Sequence, residues 1–530
     1  MLISRDGAIR NVIVGDATQL MLPDIGRLRG RGGRFRGLRL VHTHLKGEPL
    51  SADDLNDLAL LRLDMVAMVE VGPTGLPGRV EAAHLDPGAL AIEDDEDSEP
   101  AGNAASRHRG DGRPAARDPF VHTHARNVQT LHLDFQSTIT ALEDEFARVV
   151  SRSAGAAGAE RALVIGITPD DDRFDETLEL VRSADVVIAG TSRQRRHRIH
   201  PKTVVGKGKL QEIVLDAMRR NAEVAIFDID LKPAQARAFE DATGLKAIDR
   251  TQLILDVFAQ RARSGDGKLQ VELAQLRYSL PRLTEKDAGL SRLTGGIGGR
   301  GPGETVMEIG RRRIRDRIRG LEKRVEQLSK QRDLRRRRRR REGIPVLSII
   351  GYTNAGKSTL LNALTNSDIE AADKLFVTLD PTSRRLRFPR EGEVVITDTV
   401  GFIADLPKDL IAAFRATLEE LADANLLLHV IDAADPQVDE KIGTVEGLLQ
   451  ELDLSHLPIL RVLNKTDLLP DDHVADLARH LEAVPVSAAN RDGLPGLIAT
   501  AENRLGVSLH GHRRTEAEAD WAHDAKATDR

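Results

Sequence analysis

Apolar positions recur along this chain with three rhythms, and each predicts a different architecture. Between residues 126 and 265, short apolar runs at 162–167, 186–189, 224–227 and 246–248 alternate with amphipathic stretches at 174–182, 209–220 and 233–243. Strands alternating with helices predict an α/β domain built on a parallel sheet. From 268 the period changes. Leu269, Leu273, Leu276 and Leu280 recur at +4, +3, +4, and Ile314, Ile318, Leu321, Val325 and Leu328 at +4, +3, +4, +3. These are the seams of two long amphipathic helices, read as an antiparallel hairpin over 266–343. Between the seams lies GGIGGRGPGET (295–305), too rich in glycine to pack and expected to form a mobile loop at the hairpin tip. Strand–helix alternation resumes over 344–506, and the polar tail, 507–530, is expected to be disordered.

The first 90 residues read as a small α+β unit, with apolar runs at 11–14, 38–41 and 65–71 around a helical stretch at 53–62. An acidic block, EDDEDSE at 93–99, and a Gly/Ala/Arg/Pro-rich stretch follow. Low hydrophobicity with high charge predicts a disordered linker over 91–125. The expected fold class is therefore α/β throughout the larger part: a small N-terminal domain, a parallel-sheet domain, a basic helical hairpin and a second α/β domain.

Composition changes this picture at a few points. A chain of 530 residues is too long for one core. The absence of cysteine removes disulfides, thiolate metal sites and cysteine nucleophiles. No signal peptide opens the sequence and no run approaches the roughly 20 apolar residues that span a bilayer, so a soluble cytoplasmic protein without membrane insertion, acting as a monomer, is expected. Aromatic residues make up only 3%, which argues against base stacking as a recognition mode. The net charge of −5 hides a strong local asymmetry. Residues 300–341 hold 18 Lys/Arg against 6 Asp/Glu, including seven consecutive arginines at 335–341. A helix of that charge repels itself unless an anion screens it, and the arrangement suits a phosphate backbone.

The candidate chemistry lies mainly in the last α/β segment. Gly351, Tyr352, Thr353, Asn354, Ala355, Gly356, Lys357 and Ser358 form a GxxxxGKS string between an apolar strand and a helical stretch that starts at Thr359. Glycines let the backbone amides converge on an anion, the helix terminus adds positive potential, Lys357 reaches the terminal phosphates and the Ser358 hydroxyl is a ligand for Mg²⁺. Asp398, Thr399, Val400 and Gly401 follow a second strand, where the carboxylate can hold Mg²⁺ through water and the Gly401 amide can meet the γ-phosphate. Asn464, Lys465, Thr466 and Asp467 follow a third. A carboxylate at Asp467 pairs with two donors of guanine that adenine lacks. Ser487, Ala488 and Ala489 would close over the base with backbone amides. GTP and GDP are the expected ligands. Phe402 stands where many GTPases carry a water-orienting glutamine, so slow intrinsic hydrolysis is expected, and no residue is assigned as the catalytic group. Asn354 offers a carbonyl that could help hold K⁺ beside the phosphates. Gly206, Lys207, Gly208 and Lys209 form a lesser candidate phosphate site at a helix start.

In the first 90 residues, His42-Thr43-His44 followed by Ser51 and Asp54 resembles the zinc site of JAMM-type isopeptidases and RadC proteins. The interval to Ser51 is one residue shorter than in that pattern, and no glutamate precedes His44 to act as general base. A degenerate, non-catalytic domain is expected, without Zn²⁺ at His42, His44 and Asp54. His122-Thr123-His124, beside the linker, is expected to be incidental.

With these residues in hand, the chain resembles the HflX family of translational GTPases. The resemblance rests on GYTNAGKSTLLNALT (351–365), LFVTLDPTSR (375–384), DTVGFI (398–403), NKTD (464–467), KLQVELAQLRYSLPRL (268–283) and GGIGGRGPGET (295–305), and covers about 160–506. It implies a protein that binds the large ribosomal subunit near the peptidyl-transferase centre, with 23S rRNA as partner, and dissociates stalled or idle 70S particles. It also implies that Thr378, in Phe376-Val377-Thr378, is the switch threonine meeting Mg²⁺ and γ-phosphate, with Thr382 as fallback. ATP binding by the N-terminal α/β domain is a family property, although no phosphate loop occurs there. The tail after 506 is shorter than in members with a further C-terminal domain. Two other functions fit the same residues: a GTP-controlled RNA-binding factor in large-subunit assembly, and a GTP-regulated metal-dependent hydrolase.

Overall fold

The computed structural model describes residues 1–15, 22, 35–86, 118–153, 160–194, 199–282, 306–342, 344–365, 376, 382–388, 392–398, 401–403 and 421–506. They fall into two compact units, Met1–Arg250 and Thr251–Arg530.

The first unit holds two sheets. One has six strands: β1 (Leu2–Ser4), β2 (Ile9–Asn11), β3 (Leu38–His44), β4 (Met65–Val71), β5 (Pro77–Leu85) and β6 (Phe120–Ala125), in the order β2-β1-β3-β4-β5-β6. Only β3 and β4 pair in parallel, and the crossover between them is helix α1 (Ala52–Leu60). Ser51 starts α1 with a capping box: its hydroxyl accepts from the Asp54 amide, and the Asp54 carboxylate accepts from the Ser51 amide. The second sheet is wholly parallel, β7 (Arg161–Gly166), β8 (Val187–Arg193), β9 (Val224–Phe227) and β10 (Lys246–Ile248) in the order β10-β9-β7-β8. Helix α2 (Phe135–Ser153) precedes it, and α3 (Asp171–Ser183), α4 (Lys207–Arg220) and α5 (Pro233–Thr243) connect its strands. Nearly every residue of β7 and β9 is buried, as the unbroken apolar runs require of strands covered on both faces.

Three expectations fail here. Residues 120–125 are not linker: β6 pairs antiparallel with β5 along its length, from Phe120 against Leu85 to Ala125 against Val80. Its apolar content is too small for the local pattern to reveal it, and the partner strand supplies the order. The boundary between a 1–90 domain and a 126–265 domain also disappears. Leu2, Leu40, Leu58 and Val66 share one core with Ile139 and Leu142 of α2 and with Val214, Leu215 and Met218 of α4. Arg5 adds ion pairs to Asp64 at 2.5 Å and to Glu143 of α2 at 2.8 Å. The strand expected at 11–14 is displaced to Ile9–Asn11, and Val14 is 92% exposed, so valine content there does not mark a buried strand.

In the second unit, α6 (Arg250–Arg261) leads into α7 (Gly265–Ser279), and α8 (Val306–Glu342) is 37 residues long. The heptad-like seams meet: Leu273, Ile318 and Leu321 are buried together, flanked by Leu269, Leu276, Leu280, Ile314 and Val325. Arg317 forks onto the Glu272 carboxylate at 2.7 and 2.9 Å, and Arg277 pairs with Glu322 at 2.7 Å. The glycine-rich segment 295–305, with Arg300, lies outside the described residues.

The remaining sheet has six strands: β11 (Val346–Gly351), β12 (Thr382–Phe388), β13 (Gly392–Asp398), β14 (Leu426–Asp432), β15 (Ile459–Asn464) and β16 (Val484–Pro485), in the order β12-β13-β11-β14-β15-β16. All neighbours are parallel except β12 and β13. Helices α9 (Lys357–Thr365), α10 (Val438–Glu451), α11 (Asp471–His480) and α12 (494–506) complete the unit. Parallel strands bring their carboxyl ends to one edge. Gly351, Asp398 and Asn464, the last residues of β11, β13 and β15, therefore arrive together, where α/β sheets bind ligands.

Candidate functional site: a nucleotide pocket at the strand ends

The loop from β11 to α9 is shaped by two glycines. Gly351 has φ +147° and a side chain there would stand 2.3 Å from the Val430 carbonyl oxygen; Gly356 has φ +88° and a side chain there would stand 2.3 Å from Asn464 Nδ2. Neither position admits a Cβ, so the sequence signal and the steric demand coincide. Asn354 also adopts the left-handed region, φ +62°, and is exposed at the loop's outer bend. Ala355 is buried and Thr359 sits in the first turn of α9.

Lys357 is buried, and its Nζ donates to the Tyr352 carbonyl at 2.6 Å. Burial pushes its pKa down to about 8, and the Asp398 carboxylate pulls the other way. The Ser358 hydroxyl donates to Asp398 Oδ2 at 2.8 Å. This pairs an alcohol with a carboxylate next to the lysine, a set of oxygens that fits Mg²⁺. Gly401 closes against the same lysine: a Cβ there would stand 3.0 Å from Lys357 Nζ and 2.9 Å from Thr353 Cγ2. Phe402 is buried and locked to the phosphate loop by two backbone hydrogen bonds, its amide to the Gly351 carbonyl at 3.1 Å and the Thr353 amide to its carbonyl at 2.7 Å. Its ring faces the core and cannot orient a water molecule.

The segments expected to read the base are tied to the GxxxxGKS loop through one side chain. Asn464 is buried; its Nδ2 donates to the Ala355 carbonyl at 2.9 Å, and its Oδ1 accepts from the Ala488 amide at 3.0 Å. Ala488 thus spends its N–H on Asn464, and Ala489 is the exposed member of the turn. Ser487 Oγ donates to Asp467 Oδ1 at 2.5 Å, which orients the exposed Asp467 carboxylate. Thr466 and Asp467 open a short 3₁₀ turn, preceded by Lys465 with φ +62°. Lys465 Nζ pairs with Asp432 at the end of β14, at 2.7 Å.

Val377, Thr378, Thr399 and Val400 lie outside the described residues. Phe376 is buried with φ +55°, its ring edge-on to Phe258 of α6 at 4.6 Å. Thr382 opens β12 in register with Asp398. Gly206 is the N-cap of α4, with no side-chain hydrogen bond at that cap; Lys207 stands 3.4 Å from Asp53, and Lys209 2.5 Å from Glu212.

Sequence reasoning missed His429, Asp432 and Lys441. His429 is buried in β14, and burial, reinforced by Arg461 and Lys357, pushes its pKa down to about 4. A polar residue inside the apolar run LLLHVI, at 426–431, was the available signal. Lys441 of α10 lies 5.0 Å over the Tyr352 ring, a contact with no local sequence mark.

Comparison with known proteins agrees with this geometry. The family profile described as GTP-binding GTPase N-terminal matches residues 171–259, GTP-binding GTPase Middle Region matches 261–339, and 50S ribosome-binding GTPase matches 346–465. GTPase HflX of Caldanaerobacter subterraneus subsp. tengcongensis is 48% identical over 356 residues, covering 66% of this chain and 82% of the relative. GTPase HflX of Escherichia coli is 47% identical over 363 residues, covering 67% and 85%. A crystal structure of a GTP-binding protein from Sulfolobus solfataricus with GDP aligns over 66% of this chain and 99% of its own, at 25% identity and a TM-score of 0.37, too loose to lend any side-chain position. Identity near one half over more than four-fifths of each relative, together with a P-loop GTPase fold, settles the question that the strand ends raise: the chain is a GTPase and belongs to the HflX family.

Proposed function

We propose that this GTPase binds the large ribosomal subunit and uses GTP to dissociate idle or stalled 70S ribosomes in the cytoplasm. The observation that carries this reading is the pairing, in one polypeptide unit, of the nucleotide pocket with α8, a helix that presents Arg312, Arg313, Arg315, Arg319, Lys323 and Arg324 to solvent. Four arginines (Arg277, Arg312, Arg315 and Arg319) line a cleft of about 520 Å³ beside Glu322. Such a surface suits rRNA phosphates. The match of residues 346–465 to the family profile described as 50S ribosome-binding GTPase supports the same target.

In this reading, Asp467 reads guanine, Asn464 holds the reader against the phosphate loop, and Lys357 meets the terminal phosphates. Ser358 and Asp398, with Thr378, would hold Mg²⁺, which supplies charge neutralisation at the phosphates. Asn354 would contribute a carbonyl to K⁺; hydrolysis rates equal in K⁺ and Na⁺ would remove that part. Because Phe402 faces the core, intrinsic turnover is slow and the ribosome completes the site. The glycine-rich segment 295–305 would be the working tip.

Sucrose-gradient analysis of 70S particles tests the reading. With GTP or a non-hydrolysable analogue, the 70S peak should convert to 50S and 30S; with GDP it should not. Binding to 50S without loss of 70S under any nucleotide would overturn dissociation and leave an assembly role.

A further inference from the structure

A second cluster of metal-binding groups lies far from the nucleotide motifs, at the carboxyl end of β3. Register places Leu40, Val66 and Ala83 in one row of the sheet and His42, Met68 and Glu81 in the row two residues on, so His42 continues the face that packs the core. His44 follows on the same face, and Asp54 projects from the first turn of α1. His42 Nε2 stands 3.0 Å from His44 Nε2 and 3.1 Å from Asp54 Oδ1, and His44 Nε2 is 3.7 Å from Asp54 Oδ2. Ligand atoms on a tetrahedral zinc with bonds of about 2.0–2.1 Å are about 3.3 Å apart. His42 Nε2 and Asp54 Oδ1 stand near that spacing, and one ligand atom from each of the three residues lies within 4.8 Å of the others, close enough to converge on one ion.

The surroundings orient them for it. His44 Nδ1 is 2.9 Å from the Glu48 carbonyl, which can only accept, so Nδ1 carries the proton and Nε2 turns its lone pair to the cluster. Asp54 Oδ2 accepts from the Ser51 amide at 2.8 Å and from the Ser51 hydroxyl at 2.7 Å, which fixes the carboxylate. His42 Nδ1 is buried and has no hydrogen-bond partner among the described residues. Without a cation, His42 must donate its one Nε2 proton to both neighbours. A divalent ion replaces that proton and joins all three.

We propose that His42, His44 and Asp54 bind one zinc ion, with the fourth position open to solvent, and that the ion clips the 45–51 segment and the start of α1 to the sheet. This reverses the expectation of a metal-free site and is independent of the ribosomal reading. The clip is not a hydrolytic centre. Glu81 is the buried carboxylate of the same row, and its oxygens are engaged by the Leu50 amide at 3.1 Å and by His122 Nδ1 at 3.2 Å. The His122/His124 pair on β6 belongs to Glu81 and serves as the internal control.

The test uses the full chain, stripped by chelator and returned to excess Mg²⁺ and GDP so that the nucleotide pocket is filled. Zinc is titrated against a chromophoric chelator, and X-ray absorption reports its ligands. One zinc per chain with nitrogen and oxygen ligation is expected. His42→Ala and His44→Ala should abolish it, Asp54→Asn should weaken it about tenfold or more, and His122→Ala/His124→Ala should retain it. GDP binding in the same samples reports folding, and Asp54→Asn, which preserves the side-chain shape, keeps the test open if a histidine variant fails to fold. Zinc absent from the wild type, or unchanged in His42→Ala, His44→Ala and Asp54→Asn, or lost instead with His122 and His124, overturns the proposal.

Discussion

Raising the pH from about 7 to about 8.5 should weaken GDP binding about fourfold, because Lys357 must regain a proton on binding. Among the protein's own groups the ammonium is buried and donates to the Tyr352 carbonyl, and burial lowers its pKa to about 8. Nucleotide phosphates supply the negative charge that restores full protonation. With a free-state value of about 8 and a bound lysine charged throughout, about one-tenth of the sites are neutral at pH 7 and about three-quarters at pH 8.5. The ratio of the two binding polynomials gives a drop of about fourfold, close to 0.8 kcal/mol. The sign for stability is the opposite. With only protein groups around Lys357, the unfolded chain binds more protons than the fold between about 8 and 10.5, so the contribution of this lysine to stability rises with pH across that window.

Isothermal titration of GDP in buffers of different ionisation enthalpy measures the linked proton directly. Uptake should rise from near zero at pH 7 to about three-quarters of a proton at pH 8.5. Lys357→Arg keeps a charge over the whole range and should abolish the pH dependence, whatever it does to affinity. Zero uptake at pH 8.5 in the wild type, or the same uptake in Lys357→Arg, would refute the assignment to this lysine.

Gly356→Ala should raise the Kd for GDP about tenfold or more, since the new methyl meets Asn464 Nδ2 at 2.3 Å and φ is +88°, which breaks the tie between the base reader and the phosphate loop; displacement of a fluorescent GDP measures it, and an unchanged Kd would show that the tie is dispensable. Asp467→Asn should cost GTP about 100-fold or more and gain affinity for xanthine nucleotides, since it removes two hydrogen bonds to an ionised acceptor; competition binding checks it, and retained guanine preference would place the reader elsewhere. His429→Leu should flatten the fall in stability between pH 6.5 and about 4, on the order of 3 kcal/mol, because the buried imidazole must protonate on unfolding in that window. Denaturant unfolding at several pH values measures that slope, and an unchanged slope would exclude His429 as its source.

The convergence of the candidate nucleotide motifs at the strand ends was legible in the sequence because each of its parts is local. A strand end, a sharp turn and a helix start are written within a dozen residues, and parallel pairing then superimposes three such ends without further instruction. The hairpin seam was legible for a similar reason: Leu273, Ile318 and Leu321 are buried together along periods that the chain displays openly. What stayed hidden depends on partners distant in sequence. Strand β6 is recognisable only beside β5, and Lys441 finds the Tyr352 ring only once α10 is docked.

Helix α4 shows that some of this hidden order was nonetheless encoded. A helix covering one sheet needs a single apolar stripe, with the opposite face polar. In α4 the apolar residues are Leu210, Ile213, Val214, Leu215, Ala217 and Met218, all buried, an arc too broad for one neighbour. The structure divides them. Leu210, Ile213 and Ala217 join the core of the parallel sheet, whereas Val214, Leu215 and Met218 join the core of the first sheet with Leu40 and Leu58. A helix apolar on two faces requires two layers to cover it. The breadth of that arc is therefore a mark, passed over when residues 1–90 and 126–265 were read as separate domains, that the two layers share a core, and cutting the chain at residue 126 would expose α4 on one side. Met218→Asp, on the face toward the first sheet, should destabilise the whole first unit by several kcal/mol through an unpaired buried charge. Loss of stability confined to the first sheet, with the parallel sheet unfolding as before, would show the two layers to be independent.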